Sequence, residues 1–185
     1  MNMTVVVFGH EHLAARDIKH AVRLRLLDGP LDLAWKHSGM TSDFIAEMMS
    51  QRLRSSRRLY NQLKQDIVYL ANELIENAIK FRARGEVVVE ALAQTDCFRL
   101  RVSNFIDSET ATKFQRRLMN ITVGDPGDLL IQQIEASATM TGNISGLGLL
   151  TLMSDYEVQF AWRFEENSST QQTRLETYAA MAIPA

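Results

Sequence analysis

The run Leu59–Phe81, LYNQLKQDIVYLANELIENAIKF, decides the fold. Leu63, Ile67, Leu70, Leu74, Ala78 and Phe81 fall at steps of three and four, so they share one stripe of a long helix. Val68, Ala71, Ile75 and Ile79 widen that stripe into a face that must be buried. Arg84-Gly85 stops the helix, with the glycine expected in the left-handed position that ends many helices.

Downstream the periodicity changes to two. Glu86–Ala93 (EVVVEALA) and Phe98–Asn104 (FRLRVSN) read as strands, with Gln94 to Cys97 as their turn. Phe98, Leu100 and Val102 point one way and Arg99, Arg101 and Ser103 the other, the alternation of a half-buried antiparallel strand. Ile106–Asn143 reads as a mobile excursion from the sheet. It carries amphipathic helices around Glu109–Met119 and Asp128–Ala138, joined by Gly124-Asp125-Pro126-Gly127. A short helix at Gly146–Ser154 and strands at Tyr156–Glu165 and Thr173–Ile183 close the chain. Upstream, Thr4–Phe8 (TVVVF) reads as a strand and His12–Leu27 as a helix broken by Asp28-Gly29-Pro30. Leu31–Lys36 reads as a short strand. Ser42 then caps a helix from Asp43 to about Arg58, with Phe44, Ile45, Met48, Met49 and Leu53 as its inner stripe.

Helices and strands thus come in blocks, which predicts the α+β class: a two-layer sandwich of a mixed, mostly antiparallel sheet with helices on one face. The chain reads as a single domain spanning 1–185, with an N-terminal segment 1–58, a motif core 59–166 and a C-terminal strand 173–184. Its 185 residues are 46% apolar and 23% charged, with a formal charge of −2. That balance gives no global field for nucleic acid or an anionic membrane. One cysteine excludes an internal disulfide framework, and no apolar run approaches the ~20 residues of a membrane span. The expected setting is the cytoplasm.

Three segments could carry chemistry. Glu73, Asn77 and Lys80 stand at i, i+4 and i+7, so one helix face presents a carboxylate, a carboxamide and an ammonium. That trio suits a metal phosphate: an amide oxygen for Mg²⁺, an ammonium for phosphate and a carboxylate to orient or deprotonate a nucleophile. The solvent face of any amphipathic helix has the same look. The second segment is Thr141-Gly142-Asn143-Ile144-Ser145-Gly146-Leu147-Gly148-Leu149, where small residues run into a helix start. Free N–H groups meet there and glycines let an anion approach, although a tight turn against the sheet needs the same residues. A third stretch, Val102-Ser103-Asn104-Phe105-Ile106-Asp107, puts polar groups where a strand leaves the sheet, as ligand contacts or as turn formers. The P-loop and the dinucleotide fingerprint are both absent.

In this order the three segments resemble the ATP-binding fold shared by sensor histidine kinases, DNA gyrase, Hsp90 and MutL. Glu73-x-x-x-Asn77 with Lys80 looks like its N box, and Ser145-Gly146-Leu147-Gly148 like its glycine box after an ATP lid at 106–143. Within that group the chain is similar to the anti-sigma-factor serine kinases and to the SiaB-type kinase family. The resemblance implies ATP and Mg²⁺ as cofactors. Asn77 would ligate the metal and Glu73 would serve as the catalytic base. Lys80, Asn104, Asp107, Gly142, Ser145, Gly146, Leu147 and Gly148 would join Asn77 in holding the nucleotide. The group's Asp-x-Gly-x-Gly box is replaced by Asn104-Phe105-Ile106-Asp107-Ser108, so an amide stands where a carboxylate accepts from adenine.

The expected function is an ATP-binding regulator, a serine/threonine kinase of a small partner protein in a partner-switching or anti-sigma pathway. The partner would be sigma-factor-like or anti-sigma-antagonist-like. The alternative is a degenerate, non-catalytic regulator acting by protein binding. A homodimer is compatible with either, and nucleic acid and membrane are not expected partners. Smaller signals are a His10/His12/His20 group, read as turn residues rather than metal ligands, and a basic cluster at Arg52, Arg54, Arg57 and Arg58. Cys97 carries no redox role, and the methionines at 48, 49, 119, 140 and 153 are read as core fillers.

Overall fold

The alternating apolar residues of the strands and the apolar stripe of the long helix meet in one layer of contacts. The computed structural model describes residues 4–15, 22–27, 36–51, 57–94, 96–139, 146–167 and 172–183. The elements run β1 (Thr4–Gly9), α1 (Glu11–Ala14), β2 (Val22–Leu26), α2 (Lys36–Ser50), α3 (Arg57–Lys80), β3 (Val87–Ala93), β4 (Cys97–Asp107), α4 (Ser108–Ile121), α5 (Pro126–Thr139), α6 (Leu147–Ser154), β5 (Gln159–Asn167) and β6 (Gln172–Ala182). The strands form one sheet in the order β1-β5-β6-β4-β3-β2, and every pairing in it is antiparallel. The class is therefore α+β, as expected.

The long helix is where its periodicity puts it. Leu63, Ile67, Leu70, Leu74 and Ala78 are buried on the sheet with Ala71, Ile75 and Ile79 beside them, while Phe81 stays exposed. Opposite them lie Phe98, Leu100, Val102 and Ile106 of β4 and Phe160, Trp162 and Phe164 of β5, all at or below 2% exposure. Truncating any of these aromatics would cost about 3–5 kcal/mol. The far face of the sheet is polar and laced with ion pairs. Glu90 pairs with Arg101, and Glu176 takes Arg163 and Arg174 at 3.0 Å and the Tyr178 hydroxyl at 2.9 Å. Burial pushes the Glu176 carboxyl up, but the Tyr178 hydroxyl and Arg163 more than offset it and hold it below the usual range. One-turn α1 adds Leu13 against Ala161, Tyr178 and Ala180.

Four expectations are corrected. Val22–Leu26 is not the end of a helix but edge strand β2, antiparallel to β3; among the described residues of this stretch, helix is found at Glu11–Ala14, and 16–21 fall outside them. Val22, Leu24 and Leu26 alternate with Arg23 and Arg25, and Arg25 reaches Glu86 at 2.6 Å, so the period of two wins. Ser42 caps nothing. It lies inside α2, fully buried, and its hydroxyl donates to the Ser38 carbonyl at 2.7 Å. Lys36 accordingly opens a helix rather than closing a strand, and 28–35 fall outside the described residues. The buried face of α2 is Ser38, Ser42, Ala46 and Ser50, small residues, together with Ile45 and Met49. Phe44 and Met48 of the expected stripe are exposed, as is Met119, while Leu53 and Met140 lie outside the described residues.

The excursion is corrected in part. Its first helix, α4, buries Ala111, Leu118 and Ile121 and belongs to the helical layer. Its strand-to-helix start is abrupt because Asp107, the last residue of β4, accepts from the Thr110 N–H at 2.7 Å and caps α4 directly. The bonds from the N–H groups of Thr110 and Glu109 hold the Asp107 carboxyl below its ordinary range. Gly85 has φ +147°, an extended positive-φ turn beside the Phe105 ring rather than a helix cap.

Candidate functional site

Helix α3 brings Glu73 and Asn77 to one face, one turn apart, and the Asn77 Nδ2 donates to Glu73 Oε1 at 3.0 Å. The bond fixes the amide so that its oxygen remains free of that contact. Helix α6 then closes on this pair. A Cβ on Gly148 would overlap the Glu73 carboxylate, which occupies the space that a side chain there would take. At the start of α6, Gly146 has φ +101° and its missing side chain is replaced by the Arg117 guanidinium from α4. The two glycines thus each carry a charged side chain, negative at Gly148 and positive at Gly146.

Beside them lies a cavity of about 380 Å³. The size is that of a small-molecule site. Its polar wall is made by the amides of Asn77 and Asn104, the hydroxyls of Thr110 and Thr177, and the cations Lys113 and Arg117. Its apolar wall includes Leu74, Phe81, Ile106, Phe114, Trp162 and Leu175. Trp162 is held by stacking on Phe160 at 5.3 Å and by the edge of Phe114 at 6.3 Å. Among the described residues no carboxylate lines the cavity. Among the described residues none pairs with Arg117, and burial alone pushes its guanidinium below the usual range. The arginine nonetheless stays charged. Lys113 has one partner there, Glu109 at 2.5 Å, in a pair exposed on both sides. The site is cationic and suits an anion with a flat apolar body.

Of the residues picked from the sequence, Asn77, Asn104 and Gly146 line the cavity together. Glu73 stands behind Asn77, against Gly148, and Leu147 is the first residue of α6. Lys80 is not among the lining residues; its ammonium lies 5.2 Å from the centroid of the Phe81 ring, which does line the cavity. Asp107 is engaged as the cap of α4. Gly142 and Ser145 fall outside the described residues. Thr110, Lys113, Phe114 and Arg117 were not singled out. Their spacing of i, i+3, i+4 and i+7 marks one helix face, but only the docking of α4 shows that this face looks into a cavity. The His10 and His12 rings lie edge to face at 5.7 Å, and among the described residues no group of three His, Cys, Asp or Glu is placed to hold a metal.

No family model matches the sequence, and no curated protein matches it. A chain of the crystal structure of the SiaB–SiaC complex from Pseudomonas aeruginosa has a similar fold. The TM-score is 0.58 at 10% identity, covering 86% of this chain and 89% of that one. Among the described residues, no helix is long and apolar enough to cross a membrane.

Proposed function

We propose that this chain is a nucleotide-binding regulator that takes a magnesium nucleoside triphosphate in the cavity and passes its γ-phosphoryl group to a serine or threonine of a small partner protein. The observation that carries the reading is the convergence of Asn77, Asn104 and Gly146 with Lys113 and Arg117 around one cavity. The likeness to a chain of the SiaB–SiaC complex adds a precedent for this fold in an assembly of two proteins.

The residues present fit the magnesium. Asn77 offers its amide oxygen, the kind of hard donor that Mg²⁺ prefers, while its Nδ2 donates to Glu73. Mg²⁺ would neutralise phosphate charge, and water and phosphate would complete its shell. Lys113 and Arg117 would hold the phosphates, and the free N–H groups of α6 would face them at Gly146. In the transfer, the bond between the γ-phosphorus and its bridging oxygen breaks, the partner's hydroxyl oxygen bonds to phosphorus, and Glu73 takes the hydroxyl proton. Catalysis in such a site is chiefly positioning and charge neutralisation.

A thermal-shift series tests the binding step. Mg-ATP should raise the melting point above that with Mg²⁺ alone, and Asn77→Ala should lose the magnesium-dependent part of the affinity. No shift at saturating nucleotide would remove the reading. A second reading is a regulator that senses nucleotide without transferring phosphate. It is favoured by Glu73, which lies behind Asn77 and off the cavity wall. Mass spectrometry of a partner purified with the chain separates the two: a one-phosphate gain on serine or threonine, lost in Glu73→Gln, supports transfer.

A further inference from the structure

The two ends of the cavity differ in kind. At its mouth Lys113 keeps 70% of its side chain exposed, with Arg117 one turn further along α4. Its floor is the sheet, where Asn104 is only 4% exposed. Thr177 lies opposite Val102 in the β4–β6 ladder, so it shares the face of Asn104 one diagonal step away. The charged part of an anionic ligand has to stay at the cationic, hydrated mouth. On a floor shared with Ile106, Trp162 and Leu175 a phosphate would be buried without a counter-charge. The neutral ring of the ligand therefore meets Asn104.

Among the described residues, the Asn104 amide makes only a long 3.5 Å contact from Nδ2 to the Phe105 carbonyl. It keeps both an acceptor and donors for a ligand. An ionised carboxylate in that place would only accept, and would demand an amino group. The amide can turn about its last torsion and meet either an amino or a carbonyl edge. The Thr177 hydroxyl has the same double character. Adenine and guanine differ at this point, one carrying an amino group at C6 and the other a carbonyl.

We propose that the cavity accepts adenine and guanine nucleotides alike, because Asn104 and Thr177, the polar side chains of its floor, can each donate as well as accept. This rests on the nucleotide reading above and narrows it. Calorimetric titration of the full chain with Mg-ATP, Mg-GTP and Mg-inosine triphosphate tests it. The three dissociation constants of the wild-type chain should agree within about tenfold. Asn104→Asp should move the ratio toward ATP by roughly tenfold or more, since a carboxylate facing a carbonyl leaves two acceptors unpaired. A wild-type preference beyond about tenfold for one base, or a ratio unmoved by Asn104→Asp, overturns the inference and leaves nucleotide binding standing. A wild-type chain that binds none of the three overturns both. If Asn104→Asp does not fold, the wild-type ratios decide alone.

Discussion

Replacing Arg117 by Met should strengthen the empty protein and weaken the loaded one. The guanidinium is half-buried and packed on Gly146, and among the described residues it has no carboxylate partner. It gives up hydration without a counter-charge. Met keeps much of the apolar stem and removes that desolvation. Because about half of the group still meets water, the relief is discounted to about 0.5–1 kcal/mol. For a domain of this size that is a melting point higher by roughly 1–4 °C. The ligand side has the opposite sign. A charge-assisted hydrogen bond to phosphate is worth about 1.5–3 kcal/mol, so Mg-ATP should bind roughly ten- to a hundredfold more weakly. Urea melts without ligand read the first effect, and calorimetry reads the second. A loss of about 1 kcal/mol or more in the empty protein would make Arg117 a structural residue and refute the reasoning. An unchanged Mg-ATP affinity would show that the guanidinium does not face the ligand.

Gly148→Ala should be near neutral or destabilising, although alanine in a helix is ordinarily favoured over glycine by about 1 kcal/mol, because its Cβ displaces the Glu73 carboxylate. In a Glu73→Ala background the same change should stabilise by about 1 kcal/mol, and a double-mutant cycle in urea showing coupling below ~0.3 kcal/mol would remove the contact. Asp107→Ala should lower the melting point by uncapping α4 while leaving Mg-ATP affinity unchanged; an affinity loss with stability intact would make Asp107 a ligand contact. Glu47 is held at about 2 rather than 4.5 by Lys64 first, then Gln51 and Tyr60. Its folded-state value is depressed, so its contribution is present above pH 4.5 and lost as pH falls toward 2. The melting-point difference between wild type and Glu47→Gln should close across that window, and a difference independent of pH would rule the ion pair out.

Local periodicity and the burial it demands made α3, β3, β4 and the last two strands legible. The stripe from Leu63 to Ala78 and the alternation from Phe98 to Val102 each state which side must leave water, whatever the partner. The same signal misled at Val22–Leu26, where five residues fit a helix stripe and a strand alternation together, and the β3 ladder chose between them. It misled again at Ser42, because a serine suits a cap or a close helix contact, and only the approach of α3 selects the second.

The site divides in the same way. Asn77, Asn104 and Gly146 could be named from local sequence, Asn77 by its spacing from Glu73, Asn104 by its place near the end of a strand and Gly146 by its place before a helix. That they share a cavity, and that Lys113 and Arg117 bring cations to its wall, depended on how α4 lies across the sheet. The sequence by itself determined which faces are apolar, because that is a property of neighbours one turn or two residues apart. Only the tertiary structure decided which polar side chains meet, because they come from helices and strands that packing alone sets at a given distance and angle.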